Sequence, residues 1–350
     1  MRWRCKLLVA AVAGLAAIGL PAQNPKGGGG KLRIFAVDVE GGQATLFVTP
    51  AGKSLLIDTG WPDNNGRDAD RIAAAAKEAG LKKIDYVLIT HYHVDHAGGV
   101  AQLLERIPVG AFIDHGPNRE DDAEVQRIYA AYEKSLSALN LKRILAKPGD
   151  VLPIVGMKAT VVSSDGKLIN RPLEGAGEPN PYCKDAEVRP PDETENARSV
   201  GVQIVFGKWK LVDLGDLTWD KEMELVCPAN KLGHVDVYIV SHHGMNMSSS
   251  PAMVNALGAR VAIMDNGAKK GGSAPALETI GDAPGLEMLW QLHFSEDGGE
   301  ELNTANDYIA NLPGPDTGYF IELIGGGDGS FDVRNQRTGV VKHYAAPAAH

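Results

Sequence analysis

The sequence predicts an α/β protein in which two β-sheets are covered on the outside by helices. Short β-like runs and helical stretches alternate through most of its 350 residues, without internal repeats. The β-like runs form two series, one on each side of a long proline-rich stretch. Each series can supply one sheet, because the apolar face of a sheet has to be buried against another layer.

The first series opens with three short strands separated by glycine and proline turns, which favours an antiparallel meander. An alanine-rich helix ending at Gly80 follows, and the next strand is nearly all apolar, as in strands that are buried on both faces. The predicted elements are strands at 32–37, 44–48, 54–57, 85–89 and 109–113, and helices at 67–79, 97–106 and 121–139.

The second series begins with a hairpin that turns at Gly207-Lys208 and ends with a closing hairpin around a glycine-rich turn. Its predicted strands are 200–206, 210–214, 235–240, 259–264, 319–324 and 330–335. Between the two series, residues 165–199 carry five prolines and many charges. A loop of that length is usually a lid or binding loop, or else disordered, and both interpretations stay open.

The N-terminus indicates export. Arg2, Arg4 and Lys6 precede an apolar run at 7–20 that is too short for a comfortable membrane span. We therefore expect a signal peptide at residues 1–22 and a periplasmic or secreted mature protein without a membrane partner, with an uncleaved anchor as the alternative. Residues 23–31 then form a flexible glycine-rich leader, and residues 32–345 form one domain.

The net charge limits the binding partners of the protein, and the cysteine count limits its disulfides. The formal net charge is −9, and signal cleavage would remove three further positive charges. Such a surface disfavours loose binding to nucleic acid or anionic lipid, so we expect no stable nucleic-acid partner. It leaves a small-molecule or polyanionic substrate open, since metal ions can supply local positive charge. Cleavage leaves Cys183 and Cys227, which can form one disulfide or remain two free thiols.

Residues 91–96, with the sequence HYHVDH, place three imidazoles and one carboxylate between a buried strand and a helix. Borderline-soft divalent metals favour this mixture of ligands. His91 and His93 can hold one ion while Asp95 and His96 turn toward a second. A surface histidine cluster without a metal is the alternative.

Residues 91–99, HYHVDHAGG, resemble the H-x-H-x-D-H-x-G-G signature of the metallo-β-lactamase superfamily. Three further elements resemble that superfamily in the same order along the chain, namely LLIDTG at 55–60, LGD at 214–216 and SHHG at 241–244. The resemblance implies an αββα sandwich of two mixed β-sheets flanked by helices. It also implies two divalent metal ions at one edge of the sandwich. Zinc is the expected metal, with manganese or iron as alternatives.

The same resemblance implies the ligand set. His91 and His93 bind the first ion, Asp95 and His96 bind the second, and Asp216 bridges both.

Two later assignments follow from the resemblance as well. His242 completes the second site, with His243 as the competing candidate. Asp58 accepts a hydrogen bond from a ligand imidazole and so fixes its tautomer, with a plain turn-forming role as the alternative.

In one region the sequence departs from the family pattern. Many members place a third histidine for the first ion about twenty residues before the bridging aspartate, where this chain has Glu195-Asn196-Ala197-Arg198-Ser199. His115 could approach the metals instead, or it could lie in an exposed turn. We expect His293 in the core or at the cleft. The other three histidines, His234, His343 and His350, are expected to be solvated.

Two metal ions that share a water predict hydrolysis, with Asp95 also able to accept a proton from that water. Within the superfamily the sequence is most similar to the hydrolase domain of ComEC DNA-uptake proteins and to secreted phosphorylcholine esterases. Residues 37–44 resemble their D-V-G-Q-G-D-A opening, and Glu195-Asn196 with Ser199 resembles their E-N-x-x-S element. Glu40, Gly42 and Gln43 depart from that opening, which weakens the transfer of nuclease activity.

We therefore expect an exported hydrolase of phosphoester-type substrates. The alternatives are a lactonase or β-lactamase, and a secreted metal-binding module without catalysis.

Overall fold

A computed structural model describes residues 30–62 and 64–346 of the chain as two stacked sheets with helices on both outer faces. The first sheet contains β1 (Leu32–Ala36), β2 (Thr45–Val48), β3 (Ser54–Ile57), β4 (Ile84–Leu88), β5 (Val109–Asp114), β6 (Lys142–Leu145), β15 (Ile321–Gly325), β16 (Phe331–Asn335) and β17 (Val341–Tyr344). The second contains β7 (Lys158–Ser164), β8 (Lys167–Leu168), β9 (Gly201–Phe206), β10 (Trp209–Asp213), β11 (Val237–Ile239), β12 (Val261–Met264), β13 (Met288–His293) and β14 (Ile309–Asn311).

The first sheet has the order β17-β16-β15-β1-β2-β3-β4-β5-β6. The predicted closing hairpin exists, but it extends this sheet rather than the second one, because β15 pairs antiparallel with β1 from Leu32↔Gly325 to Ala36↔Ile321. The two sheets therefore do not correspond to the two halves of the sequence. Both sheets mix parallel and antiparallel pairs, with β3 to β6 parallel in the first and β10 to β14 parallel in the second.

Eight helices cover the sandwich in the described part of the chain. They are α1 (Arg67–Glu78), α2 (Val94–Ala97), α3 (Val100–Leu104), α4 (Ala123–Ala138), α5 (Trp219–Val226), α6 (Pro251–Leu257), α7 (Ala274–Gly281) and α8 (Gly299–Leu302). One apolar core lies between the sheets, and a separate core lies between each sheet and its helices. This layering confirms the predicted αββα sandwich, because each amphipathic layer buries its apolar face against the next.

The predicted helix at 97–106 is wrong in its bounds. The structure begins a helix earlier, at Val94, and breaks it at Gly98-Gly99 into α2 and α3. A Cβ atom at Gly99 would fall on the carbonyl oxygen of Thr59, so only glycine lets the histidine loop pack against the end of β3. The loop and its first helical turn are thereby fixed to the sheet.

The proline-rich segment 165–199 is strapped to the second sheet's side of the molecule over its middle part. The backbone N–H groups of Leu173, Gly177 and Asn180 donate to carbonyl groups of residues 228–231 at 2.8–2.9 Å. Cys183 and Cys227 form a disulfide, with their Cα atoms 5.8 Å apart. Disorder is therefore the wrong interpretation for residues 173–183, and the disulfide alternative holds over the two free thiols.

Within the described residues, no helix combines the length and the apolar character that crossing a bilayer requires. The predicted signal peptide and most of the leader lie outside the described residues.

Candidate metal centre

The predicted ligands meet at one edge of the sandwich, beyond the carboxyl ends of the strands that precede them. Asp58 follows β3, residues 91–96 follow β4, Asp216 follows β10, and His242 and His243 follow β11. Within each sheet these strands are parallel, so their carboxyl ends lie at the same edge. Stacking the two sheets then brings the four loops together.

Asp95, His96, Asp216 and His243 form a buried metal-centre group, in which one ligand atom from each side chain lies within 4.8 Å of all the others. Asp95 Oδ2 lies 3.2 Å from Nε2 of both His96 and His243. Asp216 reaches the same two rings, with Oδ2 at 3.2 Å from His96 and Oδ1 at 3.4 Å from His243. Two carboxylates and two imidazoles around one point suit a divalent ion such as zinc.

His243, and not His242, joins Asp95 and His96, which corrects the preference stated above for the second site. His242 and His243 both have left-handed backbone angles, with φ of 56° and 55°, and this tight turn places them on different sides of Asp216. His242 Nε2 lies 3.3 Å from Asp216 Oδ2. Two consecutive residues in this strained region are uncommon outside functional sites.

His91 lies on the Oδ2 side of Asp216, with Nε2 at 3.9 Å from that oxygen. His91 Nε2 and Asp216 Oδ1 are both buried without a hydrogen-bond partner. A buried polar atom without a partner costs free energy, so such atoms in one place indicate a ligand that satisfies them. The residues present therefore fit a second ion near His91, and His242 lies beside the same oxygen of Asp216.

His93 lies beside His91, with the ring centroids 4.7 Å apart, but outside the metal-centre group. Its Nε2 is 3.1 Å from Oε2 of Glu120. That contact leaves Nδ1 as the ring nitrogen available to an ion. Glu120 also accepts a hydrogen bond from the backbone N–H of Glu195 at 2.7 Å, which fixes its own position.

Asp58 is buried below the ligands and does not reach the open side of the site. Its Oδ2 lies 2.7 Å from His96 Nδ1, and Thr90 donates to it through both the backbone N–H and the hydroxyl group. The contact leaves His96 Nε2 free to face the site. Asp58 therefore positions the His96 ring, the role that the family resemblance implies, and it makes no contact that would give it a catalytic role.

The protonation pattern separates the ligand rings into two kinds. Burial, together with the nearby histidines, holds the pKa of His91 well below its usual value, and burial lowers the pKa of His242 to about 4. Burial also opposes charge on His96 and His243, but Asp216 and neighbouring carboxylates outweigh it. The pKa of His96 is held well above its usual range, and that of His243 is raised to about 10.

The two carboxylates of the group stay ionised for the complementary reason. Burial would raise the pKa of Asp95 and of Asp216, but the neighbouring histidines, and Lys270 at Asp95, hold both pKa values well below the usual range. Negative charge is thus concentrated in a buried place, as a cation site requires.

His115 is not a metal ligand. It is buried, and its Nε2 lies 2.8 Å from Glu195 Oε2. Glu195, which stands where many relatives provide a histidine, accepts further hydrogen bonds from the backbone N–H groups of Tyr92 and Arg119. The carboxylate thus braces the histidine loop from behind, and it occupies the imidazole that could otherwise have turned toward the metals.

The remaining histidines lie away from the metal-centre group. His293 is buried and pairs with Asp38 at 2.7 Å, which places it in the core. His234 and His343 are exposed, as predicted, and His350 lies outside the described residues.

Sequence reasoning missed two side chains that line the centre. Asp265 Oδ1 lies 3.3 Å from His243 Nδ1, on the side of the ring away from Asp95. Lys270 forms an ion pair with Asp95 Oδ2. Both follow β12, whose carboxyl end lies beside that of β11, so only the predicted order of strands in the second sheet could have indicated them.

Comparison with known proteins finds similarity to one superfamily over part of the chain. Residues 37–187 match the model of the metallo-beta-lactamase superfamily. A hydroxyacylglutathione hydrolase of Xylella fastidiosa is 31% identical over 34% of this chain and 36% of the relative. Recombination protein 2 of Haemophilus influenzae is 23% identical over 67% of this chain and 24% of the relative.

A solved diphosphatase of the PhnP family covers 81% of this chain and 84% of its own, at 14% identity and a TM-score of 0.37. The first curated relatives match this chain over little more than a third of their own length.

Proposed function

Through residues 37–187 the chain belongs to the metallo-β-lactamase superfamily, and from this premise we propose that it is an exported dinuclear hydrolase of phosphoester-type substrates. The class of metal-dependent hydrolase, predicted from the histidine motif, follows with the family. Export, zinc as the metal and the phosphoester substrate belong to the proposal.

One observation carries it. His91 Nε2 and Asp216 Oδ1 are buried among the predicted ligands and have no hydrogen-bond partner. Asp216 is one of the four side chains of the metal-centre group, whose ligand atoms lie within 4.8 Å of one another. A degenerate site, as in a module that only recognises a partner, would be expected to satisfy or replace such atoms.

Asp95, His96 and His243 would hold one ion and His91, His93 and His242 the other, with Asp216 between them. When bound, two such ions supply a hydroxide near neutral pH and stabilise negative charge on the substrate. Asp58 keeps the proton of His96 on Nδ1, so that Nε2 faces the site. The Asp95 carboxylate is ionised and lies among the other ligands, where it can accept a proton from the attacking water.

Two findings support the phosphoester class. The opening motif at 37–44 and the Glu195-Asn196 element resemble ComEC-type and phosphorylcholine-esterase sequences. The relative with the longest alignment among those reported above is a recombination protein, although its identity is low. A relative named hydroxyacylglutathione hydrolase favours acyl substrates as the second candidate, which includes the lactones considered above.

A substrate panel tests the proposal. The mature protein, loaded with zinc or with manganese, is assayed on a phosphodiester, a phosphomonoester, a thioester, a lactone and a β-lactam, beside the Asp95→Ala variant. We expect turnover of the phosphodiester that chelation and Asp95→Ala both abolish. Turnover of the thioester or lactone alone would replace the phosphoester class by the acyl class, and no metal-dependent turnover would contradict a hydrolase of either class.

Fractionation of the native host, or of a bacterium that expresses the full chain, tests export. We expect the protein in the periplasm or medium with residues 1–22 removed. A full-length chain in the cytoplasm would contradict the proposal.

A further inference from the structure

Lys270 is a cation at the mouth of the metal centre that the proposed mechanism does not use. It lies in the loop after β12, and its Nζ pairs with Asp95 Oδ2 and donates to the carbonyl oxygen of Gly41 at 2.8 Å. The side chain keeps 32% of its surface exposed, whereas the Asp95 side chain keeps 7%. The ammonium group therefore lies between a buried ligand and the solvent.

Lys270 supplies a positive charge that the rest of the centre does not. Among the salt bridges of the described residues, the other partners of Asp95 and Asp216 are histidines, which have to be neutral when they bind a metal. The whole chain carries a formal charge of −9. An anion that approaches the metal centre of this acidic protein thus meets the ammonium group of Lys270.

The ammonium group is held in place on three sides. Besides Asp95 and Gly41, its Nζ lies 5.1 Å from the ring centroid of Trp61, a half-buried side chain. Trp61 itself packs close to Gly42, where an added Cβ would lie 3.1 Å from its Nε1. Two protein acceptors leave one of the three ammonium hydrogens for a ligand, and the aromatic face stabilises the cation without using a hydrogen.

A metal ion on Asp95 would make this lysine more available. A carboxylate that binds a divalent ion shares its charge with that ion, which weakens its attraction for the ammonium group. The carbonyl of Gly41 and the ring of Trp61 would still hold Nζ at the mouth.

We propose that Lys270, supported by Trp61, binds an anionic group of the substrate beside the bond that is cleaved, and so selects phosphate or carboxylate esters over uncharged ones. The inference rests on the proposed hydrolytic centre and names the substrate charge that this centre accepts. A lysine that only balances the charge of Asp95 would have no such selectivity.

Binding of inorganic phosphate to the metal-loaded, full mature protein tests the ligand role without turnover. Isothermal titration calorimetry compares the wild type with Lys270→Gln, Lys270→Arg and the matched control Lys269→Gln, which removes the exposed neighbouring lysine. We expect about a tenfold weaker phosphate affinity in Lys270→Gln, since one charge-assisted hydrogen bond is lost. Lys270→Arg should recover most of it, and Lys269→Gln should match the wild type.

Metal content and melting temperature are measured on the same samples. Equal phosphate affinity in Lys270→Gln and Lys269→Gln would overturn the proposal. Loss of metal in Lys270→Gln, restored in Lys270→Arg, would overturn it too, because the lysine would then act on the metal site itself.

A second arm measures KM and kcat on a phosphodiester and on an uncharged ester. We expect Lys270→Gln to raise KM several-fold more for the diester than for the uncharged ester; an equal rise for both would count against charge selection. If the wild type turns over neither substrate, the proposed function fails, while the phosphate titration still decides the role of Lys270.

Discussion

Two groups of histidine and carboxylate side chains lie in the described part of this protein, and they differ in whether their polar atoms are satisfied. In the metal-centre group of Asp95, His96, Asp216 and His243, one carboxylate oxygen of Asp216 has no hydrogen-bond partner. The Asp38 group consists of Asp38, Glu40 and His293, whose ligand atoms also lie within 4.8 Å of one another.

The Asp38 group is complete without an ion. His293 Nε2 lies 2.7 Å from Asp38 Oδ1, and Arg71 donates to Asp38 Oδ2 at 3.0 Å. An arginine already supplies the positive charge there. The comparison teaches that ligand types at short distance are not enough to indicate a metal site, and that unpartnered buried atoms among clustered ligands are the additional observation that separates the two groups.

Replacement of Asp216, the proposed bridging ligand, should have the largest effect on metal content and activity. We expect Asp216→Ala to lose most of its metal and to lower kcat/KM by at least about 100-fold, because even outer partners of metal ligands cost 10- to 100-fold. His293→Ala should keep about two ions per chain. Elemental analysis of both purified variants checks this, with circular dichroism as the control for folding. Two ions retained in Asp216→Ala would contradict the assignment.

Replacing His242 and His243, which follow β11, tests which of them belongs to the metal-centre group. His243→Ala and His242→Ala remove consecutive side chains on different sides of Asp216, so each should lower the content to about one ion per chain, and the double variant should lose both. Metal titration followed by elemental analysis measures the stoichiometry. Full metal content in His243→Ala would restore His242 as the ligand of the second site.

Metal binding should release protons, because the surrounding carboxylates hold the pKa of His96 well above its usual value and raise that of His243 to about 10. A ligand imidazole has to be neutral, so we expect these two rings to release protons on metal binding at pH 7, in addition to the proton lost when a bound water becomes hydroxide, and an affinity that rises with pH. The pKa values of Asp95, Asp216 and His91 lie well below their usual ranges, so these groups contribute none. Calorimetry in buffers of different ionisation enthalpy gives the number. A value of zero would contradict this charge pattern.

The Asp38 group should affect stability and not metal content, with the smallest effect of the four. Burial opposes both charges of the Asp38 and His293 pair, but their mutual contact lowers the pKa of Asp38 and raises that of His293. The raised pKa of His293 gives stability that is present below its unfolded pKa and lost as pH rises through the folded value. The lowered pKa of Asp38 gives stability that is lost as pH falls through its folded value.

Between these limits His293→Gln should lower the free energy of unfolding by about 2 kcal/mol, and the difference should shrink on both sides. Urea unfolding over a range of pH, with the metal content checked at each step, measures it. A difference that does not change with pH would show that the pair is not ionised.

Much of the centre could be predicted because its ligands are local in the sequence. His91, His93, Asp95 and His96 lie within six residues, and one loop between a strand and a helix is enough to bring them together. The long α1, the apolar β4 and the alternating runs also predicted the layered fold, since their burial depends on local periodicity. Helix bounds were less accurate, because Gly98-Gly99 acts through a contact with Thr59 in another element.

The sequence by itself determined the fold class, the histidine loop and the two carboxylates that follow strands, Asp58 and Asp216. Only the tertiary structure decided that the C-terminal hairpin joins the first sheet, that His243 faces Asp95, and that Lys270 reaches the mouth. The local periodicity of apolar residues indicates which face of a helix or strand is buried. Pairing between distant strands, and the direction of a side chain in a left-handed turn, depend on what packs against them, so these features follow from long-range contacts that no window of the sequence contains.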